Sequence, residues 1–314
     1  MNKLDIGIIT SSDVKIDKCG VYKYVESENF VLQAFGYAAD DGEIKAVDIA
    51  GGEEIPDEII DALSDDSVIK WAFDAQYTRV CLAHYLNIDI SPNSWRCTMT
   101  WCAASSLKIS ICFNGSTDEI LKNTINASMA VQRKLSDYPF PESEWINYRI
   151  DQEINDRGVA IDMNLVNNAN SIIKDNGLGK SLKLKKYSAM PSVVCSDGRA
   201  RGLFLFYGAA RTGRFSGRYI QPHNLPRTHS ANLDDLRKRL AVGDKTLSEH
   251  NLAELIRTVF VPKNGCRFIV ADFSSIEARV LAWLSEESWK IDAFRNEQDV
   301  YCTINEHDKK VRKK

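Results

Sequence analysis

Between residues 4 and 86, short apolar runs of strand length alternate with segments of helical periodicity, and this order constrains the fold more than any other feature of the chain. Leu4–Ile9 reads as a buried strand. Phe30–Tyr37 and Ile44–Ile49 read as two more, with the turn residues Asp40, Asp41 and Gly42 between them. Pro56–Leu63 predicts a helix, because proline suits a first helical turn and Ile59, Ile60 and Leu63 recur at helical spacing. Val68–Phe73 predicts a fourth strand and Thr78–Leu86 a second helix. Strand, hairpin, helix, strand, helix is the order of a layered α/β domain.

A helix expected over Leu121–Leu135 is followed by two prolines in Asp137–Pro141, which sets a domain boundary there and divides the chain into 1–138 and 139–314. Charge divides at the same place. Residues 1–140 carry 12 Lys and Arg against 21 Asp and Glu, and residues 141–314 carry 28 against 22, so the halves are −9 and +6 within a total of −3. A polyanionic partner belongs with the second half. Past the boundary the pattern predicts a helix over Glu142–Asn155, a turn at Asp156–Gly158 and a strand over Val159–Asp162. The lysine-bearing Asp175–Lys186 is a loop or a helix end, either a solvated face or a phosphate contact. No run approaches the roughly 18 apolar residues of a membrane span, the N-terminus has no signal-peptide pattern, and the eight cysteines contain no CxxC pair. The expectation is a chain with free thiols in the cytoplasm of a bacterial host, with no membrane partner.

The run Phe268–Ala271 predicts a buried strand that delivers Asp272 to its C-terminal end. Ser274 or Ser275 can cap the helix that follows, with Ile276, Val280 and Trp283 on its apolar face. A carboxylate beside the main-chain carbonyl of Phe273 is a suitable donor pair for a hard cation, and Glu277 can face the same cleft. Taken from pattern alone, strand–Asp–turn–helix is common, and Asp272 fits equally as a cap or a surface charge. Upstream, Ala210–Arg218 puts Arg211, Arg214 and Arg218 among two glycines, followed by Gln221–Arg227 with Asn224 and Arg227. Glycines let the backbone approach a polyanion, and arginines supply forked donors to phosphates or base edges.

Taken whole, the stretch from Asp272 to Ser285 resembles motif A of the family A DNA polymerases, and Thr212–Arg227 resembles that family's TGR segment. The resemblance implies that Asp272 and Phe273 bind Mg2+ in a two-metal nucleotidyl-transfer site and that Glu277 excludes ribonucleotides. It implies that Arg214 contacts the primer end and that Arg211, Arg218, Asn224 and Arg227 lie along primer–template DNA. His223 stands where the family usually has Gln. Arg227 follows its proline one residue sooner than in the polymerase I pattern, which tells against a triphosphate-binding role. Asp151–Gly158, Cys195–Gly202 and Leu255–Pro262 also read like phage members of the family.

The implied fold is an RNase H-like 3′–5′ exonuclease-type α/β domain followed by an incomplete α+β thumb and palm of a right-hand polymerase. The exonuclease acids do not recur: their places hold Gly7, Ile9, Thr78 and Thr124, and Ile120 stands for the motif tyrosine. Asp5 and Asp74 are expected as surface or capping groups. Motifs B and C do not follow Ser285, and the sequence runs into the basic segment Asp308–Lys314. The expected function is a family A DNA polymerase of phage replication that binds primer–template DNA and is inactive unaided, without exonuclease activity. The alternatives are a catalytically dead DNA-binding or protein-interaction remnant, or half of a split polymerase whose second chain carries motifs B and C.

Overall fold

A computed structural model describes residues 1–109, 114–298 and 300. The chain opens with β1 (Lys3–Ser11), α1 (Ile16–Val25), β2 (Val31–Ala39), β3 (Lys45–Val47) and α2 (Asp57–Ser64). It continues through β4 (Ile69–Ala72), α3 (Ala75–Leu86), β5 (Trp95–Cys97), α4 (Thr98–Ala104) and α5 (Thr117–Lys134). The strands form one sheet in the order β3-β2-β1-β4-β5. β1 pairs antiparallel with β2 and parallel with β4, so the first half of its apolar run, Leu4–Ile6, lies in ladders on both edges. The turn after β2 forms at Asp40 and Asp41, both at positive φ, as their short polar side chains allow. The apolar residues that announced these elements, among them Leu4, Ile6, Phe35, Ile59 and Leu63, are fully or almost fully buried in one core. Each such side chain stabilises the fold by about 1.5–3 kcal/mol relative to exposure.

Helix α5 lies against this sheet at two glycines. Gly7 of β1 and Gly36 of β2 are direct partners in the ladder. A Cβ at Gly36 would sit 1.9 Å from Leu121 Cδ2, and one at Gly7 would sit 3.0 Å from Ile125 Cγ1. The bare backbone at this pair is therefore what lets the helix approach.

Two expectations about carboxylates separate here. Asp74 is the N-cap of α3, accepting the Tyr77 N–H at 3.1 Å, and for that reason the helix starts at Ala75 instead of Thr78. Asp5 is neither a cap nor a surface group. It is fully buried, paired with Lys3 Nζ at 3.2 Å and accepting a hydrogen bond from Gln132 of α5. Burial raises its pKa against the opposing pull of those two partners.

The second part runs α6 (Glu142–Arg157), β6 (Val159–Ile161), α7 (Met163–Asp175), α8 (Lys185–Val193), β7 (Arg199–Ala200), β8 (Phe204–Ala209) and β9 (Arg214–Gly217). It ends with α9 (Leu233–Ala241), α10 (Glu249–Leu255) and β10 (Phe260–Val261). β10, β6 and β7 make a small antiparallel sheet beside a second core that includes Leu165, Val166, Tyr187, Leu240 and Leu252. Helix α6 runs through Asp156 and Arg157, so the predicted turn reduces to Gly158 at φ 57°. Trp145 and Tyr148 of α6 join the first core.

Met1–Lys263 is one compact unit, and a second begins at Asn264. The second contains α11 (Ile276–Leu284) and α12 (Ser288–Arg295), held together in part by the Arg279 guanidinium 4.5 Å from the centre of the Phe294 ring. The strand predicted over Phe268–Ala271 is not formed. Ile269 and Val270 are 85% and 90% exposed, and no strand among the described residues of this unit lies beside them. An apolar run becomes a strand only when a ladder partner satisfies its backbone, and composition alone cannot supply one. The basic segment Asp308–Lys314 lies outside the described residues.

Candidate nucleic-acid interface

The arginine-rich segment forms a hairpin rather than an irregular loop. β8 and β9 pair antiparallel, Phe204 with Gly217 and Ala209 with Arg214, with a register shift between Leu205 and Ala209. The shift is marked by Tyr207 at φ 55° and by Gly208, where a Cβ would meet Ser216 Oγ at 2.0 Å. Thr212 and Gly213 donate their N–H groups to the Ala209 carbonyl at 2.9 and 3.0 Å, closing the turn with Arg211 at its tip. Arg211 and Arg214 are exposed there, and Phe215 is half-exposed, its ring 5.3 Å edge-on from Phe206. Phe206 continues through Tyr148 into the first core, so a rigid aromatic base supports the exposed cationic tip.

The remaining basic residues differ in what they can offer a ligand. Arg218 donates from Nη1 to Gln76 Oε1 at 3.1 Å, tying the end of the hairpin to α3. Arg201 is bidentate to Asp197 at 2.7 and 2.8 Å and also donates to the Asp156 carbonyl, while Arg199 donates to the carbonyls of Arg157 and Gly158. Those two arginines serve the fold.

Beyond the hairpin, a turn of 3-10 helix at Pro222–Asn224 leaves Asn224 exposed, followed by an exposed Arg227. Arg257 fixes this segment by donating to the carbonyls of Leu225 and Pro226, both at 2.7 Å. Glu254 accepts the N–H groups of His229 and Ser230 at 2.6 and 2.8 Å, and these bonds hold its carboxyl below the ordinary range. Gln76 braces Arg218, Arg257 braces the Leu225–Pro226 backbone beside Asn224 and Arg227, and Glu254 holds the His229–Ser230 backbone, although none of the three was expected at this site. Only Arg257 had a signal in the sequence, within Leu255–Pro262.

In the second unit, Asp272, Phe273 and Glu277 are all exposed, with Glu277 in the first turn of α11. Ser275 is the N-cap residue, but it sits at φ 52° and its side chain makes no capping bond. Ile276, Val280 and Trp283, expected to form a buried face, are 47%, 44% and 70% exposed. Among the described residues no three His, Cys, Asp or Glu side chains converge to hold a metal ion. Around Asp272 and the Phe273 carbonyl, the donor pair expected from the sequence, the described residues do not complete a metal site.

In the first unit, the five residues standing where exonuclease motifs are expected come together. Gly7, Ile9, Thr78, Ile120 and Thr124 all line one cavity of about 480 Å³ between β1, α3 and α5. Positions far apart in the chain thus converge on one cavity, with Asp74 the one carboxylate among its described lining residues.

The family described as DNA polymerase family A matches residues 167–314, a span that contains both the hairpin and the Asp272 segment. A DNA polymerase of Bacillus phage SP02 is 30% identical over an alignment of 415 positions, covering 96% of this chain and 64% of the phage enzyme. DNA polymerase I of Caldicellulosiruptor bescii is 43% identical over 67 residues, 20% of this chain and 8% of that enzyme. Among solved structures, the POL domain of Pol1 from M. smegmatis, in complex with DNA primer-template and dNTP, superposes with a TM-score of 0.56 at 16% identity, covering 95% of this chain and 62% of that one. The likeness to that POL domain is one of fold. Residues 167–314 match DNA polymerase family A, and the likeness to the phage polymerase extends over 96% of the chain. It spans a little under two thirds of the phage relative and of the mycobacterial domain.

Proposed function

We propose that this chain takes part in template-directed DNA synthesis during phage DNA replication. It binds primer–template DNA through Arg211, Arg214, Arg218, Asn224 and Arg227. The observation that carries the reading is the family match that runs through both the arginine hairpin and the Asp272 segment. A braced, exposed cationic tip is the geometry that phosphate and minor-groove contact requires. In this reading Asp272 and the Phe273 carbonyl are the chain's contribution to a magnesium site, and Glu277 discriminates against ribonucleotides. Because the described residues do not complete that site, extension needs the further carboxylates and the triphosphate grip of motifs B and C.

Residues 1–138 are read as a degenerate RNase H-like, exonuclease-type domain, and 139–314 as a thumb and the start of a palm. Support for the first comes from the sheet order, antiparallel through β3-β2-β1 and parallel through β1-β4-β5. Exonuclease activity is not expected where the acids are replaced by Gly7, Ile9, Thr78 and Thr124. Among the described residues, no helix is long and apolar enough to cross a membrane; the bacterial cytoplasm is the proposed location.

A second reading, in which the chain works with a separate chain carrying motifs B and C, is favoured by the exposure of Ile269, Val270, Phe273, Leu281 and Trp283. Primer extension with magnesium tests both. Extension only when such a chain is added, lost in Asp272→Ala while DNA binding persists, supports the second reading. Extension by the unaided chain overturns the claim that it needs a partner. Absence of salt-dependent DNA binding sinks the whole proposal.

A further inference from the structure

The cavity between β1, α3 and α5 is lined mostly by apolar side chains. Ile9, Phe73, Met99 and Ile120 supply apolar wall, and the Tyr77 ring and Asp74 stand among them. Protein interiors otherwise pack to crystal density, so a space of about 480 Å³ is held open by its frame. That frame is rigid. β1 is paired with β2 over Leu4–Ser11 and with β4 over Lys3–Ile6, and α5 is seated on the Gly7–Gly36 pair. Thr10 Oγ1 joins the Tyr77 and Tyr24 hydroxyls at 2.6 and 2.9 Å, and Thr78 and Thr124 donate to the carbonyls of Asp74 and Ile120. The lining hydroxyls are thus largely committed to the protein.

We infer that this cavity is a binding site for an uncharged, flat, one- or two-ring aromatic molecule with a single N–H or O–H donor directed at Asp74. Volume and composition both fit small-ligand sites, which are mostly apolar with a few placed polar groups. Charge selects within that class. Among the described residues no Lys, Arg or His lines the cavity, and the guanidinium of Arg218, which acts on Asp74, donates to Gln76, so a phosphate or carboxylate would enter apolar walls beside a carboxyl. One carboxylate does not hold a divalent cation. Asp74 accepts the Tyr77 N–H through Oδ1, which leaves acceptor capacity on the carboxyl for one ligand donor. The inference is independent of the DNA-binding reading.

The test is 19F NMR of 5-fluoroindole titrated with the full chain, beside N-methyl-5-fluoroindole and 3-fluorobenzoate as probes. Saturable binding of 5-fluoroindole is expected, weaker several-fold for the N-methyl compound and undetectable for the benzoate. Ile120→Trp and Met99→Trp fill the cavity from different walls, and each should weaken 5-fluoroindole binding at least tenfold while circular dichroism stays native. Asp74→Asn keeps a residue able to cap α3 and should erase the difference between indole and N-methylindole. No saturable binding to the wild type, undiminished binding to a folded cavity-filling variant, or equal binding of the benzoate would each overturn the assignment.

Discussion

Arg79 and Asp156, 77 residues apart, form a bidentate ion pair in which Arg79 Nη2 lies 2.7 and 2.9 Å from the two carboxylate oxygens. Arg79 belongs to α3 and is almost wholly buried; Asp156 sits at the end of α6 and also accepts the Tyr22 hydroxyl at 2.6 Å. The pair ties the five-stranded sheet domain to the helix that leads into the second core.

Asp156→Ala should therefore destabilise the first unit by about 3 kcal/mol, because it leaves a buried guanidinium without its counter-charge. The value sits at the low end of the usual range because Asp156 remains 32% exposed and partly screened. Urea denaturation followed by tryptophan fluorescence measures it, and a loss below about 0.5 kcal/mol, the level of an ordinary surface substitution, would show that the pair is not structural.

Asp151 of α6 is 1% exposed, and burial pushes its carboxyl up to about 7 despite the Gln152 amide donating at 2.9 Å. Its Oδ1 and Gln152 Oε1 are both buried without hydrogen-bond partners, an arrangement that a proton on the carboxyl relieves. Since the folded pKa lies above the ordinary 3.8, the group's contribution is complete below pH 3.8 and is lost as pH rises toward 7. Asp151→Asn should match the wild type near pH 4 and exceed it in stability at pH 8, by up to about 4 kcal/mol. Parallel pH–stability curves for the two proteins would refute this.

The arginines should separate into two groups in salt titrations of primer–template binding. Arg211→Ala and Arg214→Ala should each lower the slope of log affinity against log salt by about 0.9, one phosphate contact apiece on duplex DNA. Arg201→Ala should leave the slope unchanged and lower stability, since its guanidinium is committed to Asp197 and the Asp156 carbonyl. A reduced slope in Arg201→Ala, with Arg211→Ala silent, would reverse the assignment.

Amide hydrogen exchange should find Leu4–Ile9 strongly protected by its ladder with β2, joined over Leu4–Ile6 by the ladder with β4. Phe268–Ala271, exposed and outside any ladder, should exchange within about a second, as open backbone does. Protection of the second segment comparable to the first would mean that it pairs in solution.

What was legible in the sequence was whatever depends on local pattern. The runs at 4–9 and 68–73 became β1 and β4, and the prolines at 139 and 141 fell before α6, where Pro141 precedes the first turn. Long-range compensation was not legible. Asp5 is buried because Gln132 reaches it across 127 positions, and Arg218 is anchored because Gln76 lies opposite across 142. The hairpin carrying Arg211 and Arg214 gave no strand signal because its register shift at Tyr207 and Gly208 breaks the strand period. Phe268–Ala271 erred the other way: its composition is that of a strand, but a strand is a relation between two segments.

The seating of α5 on Gly7 and Gly36 also limits change at residue 7. Gly7 occupies a position where the family resemblance expects an acid, and any side chain there would press on Ile125 from 3.0 Å. A side chain at residue 7 would require Ile125 to give way, and Ile125 sits on the same helix as Ile120 and Thr124. Any group introduced on this face of β1 is therefore coupled to the seating of α5, and the two would have to change together.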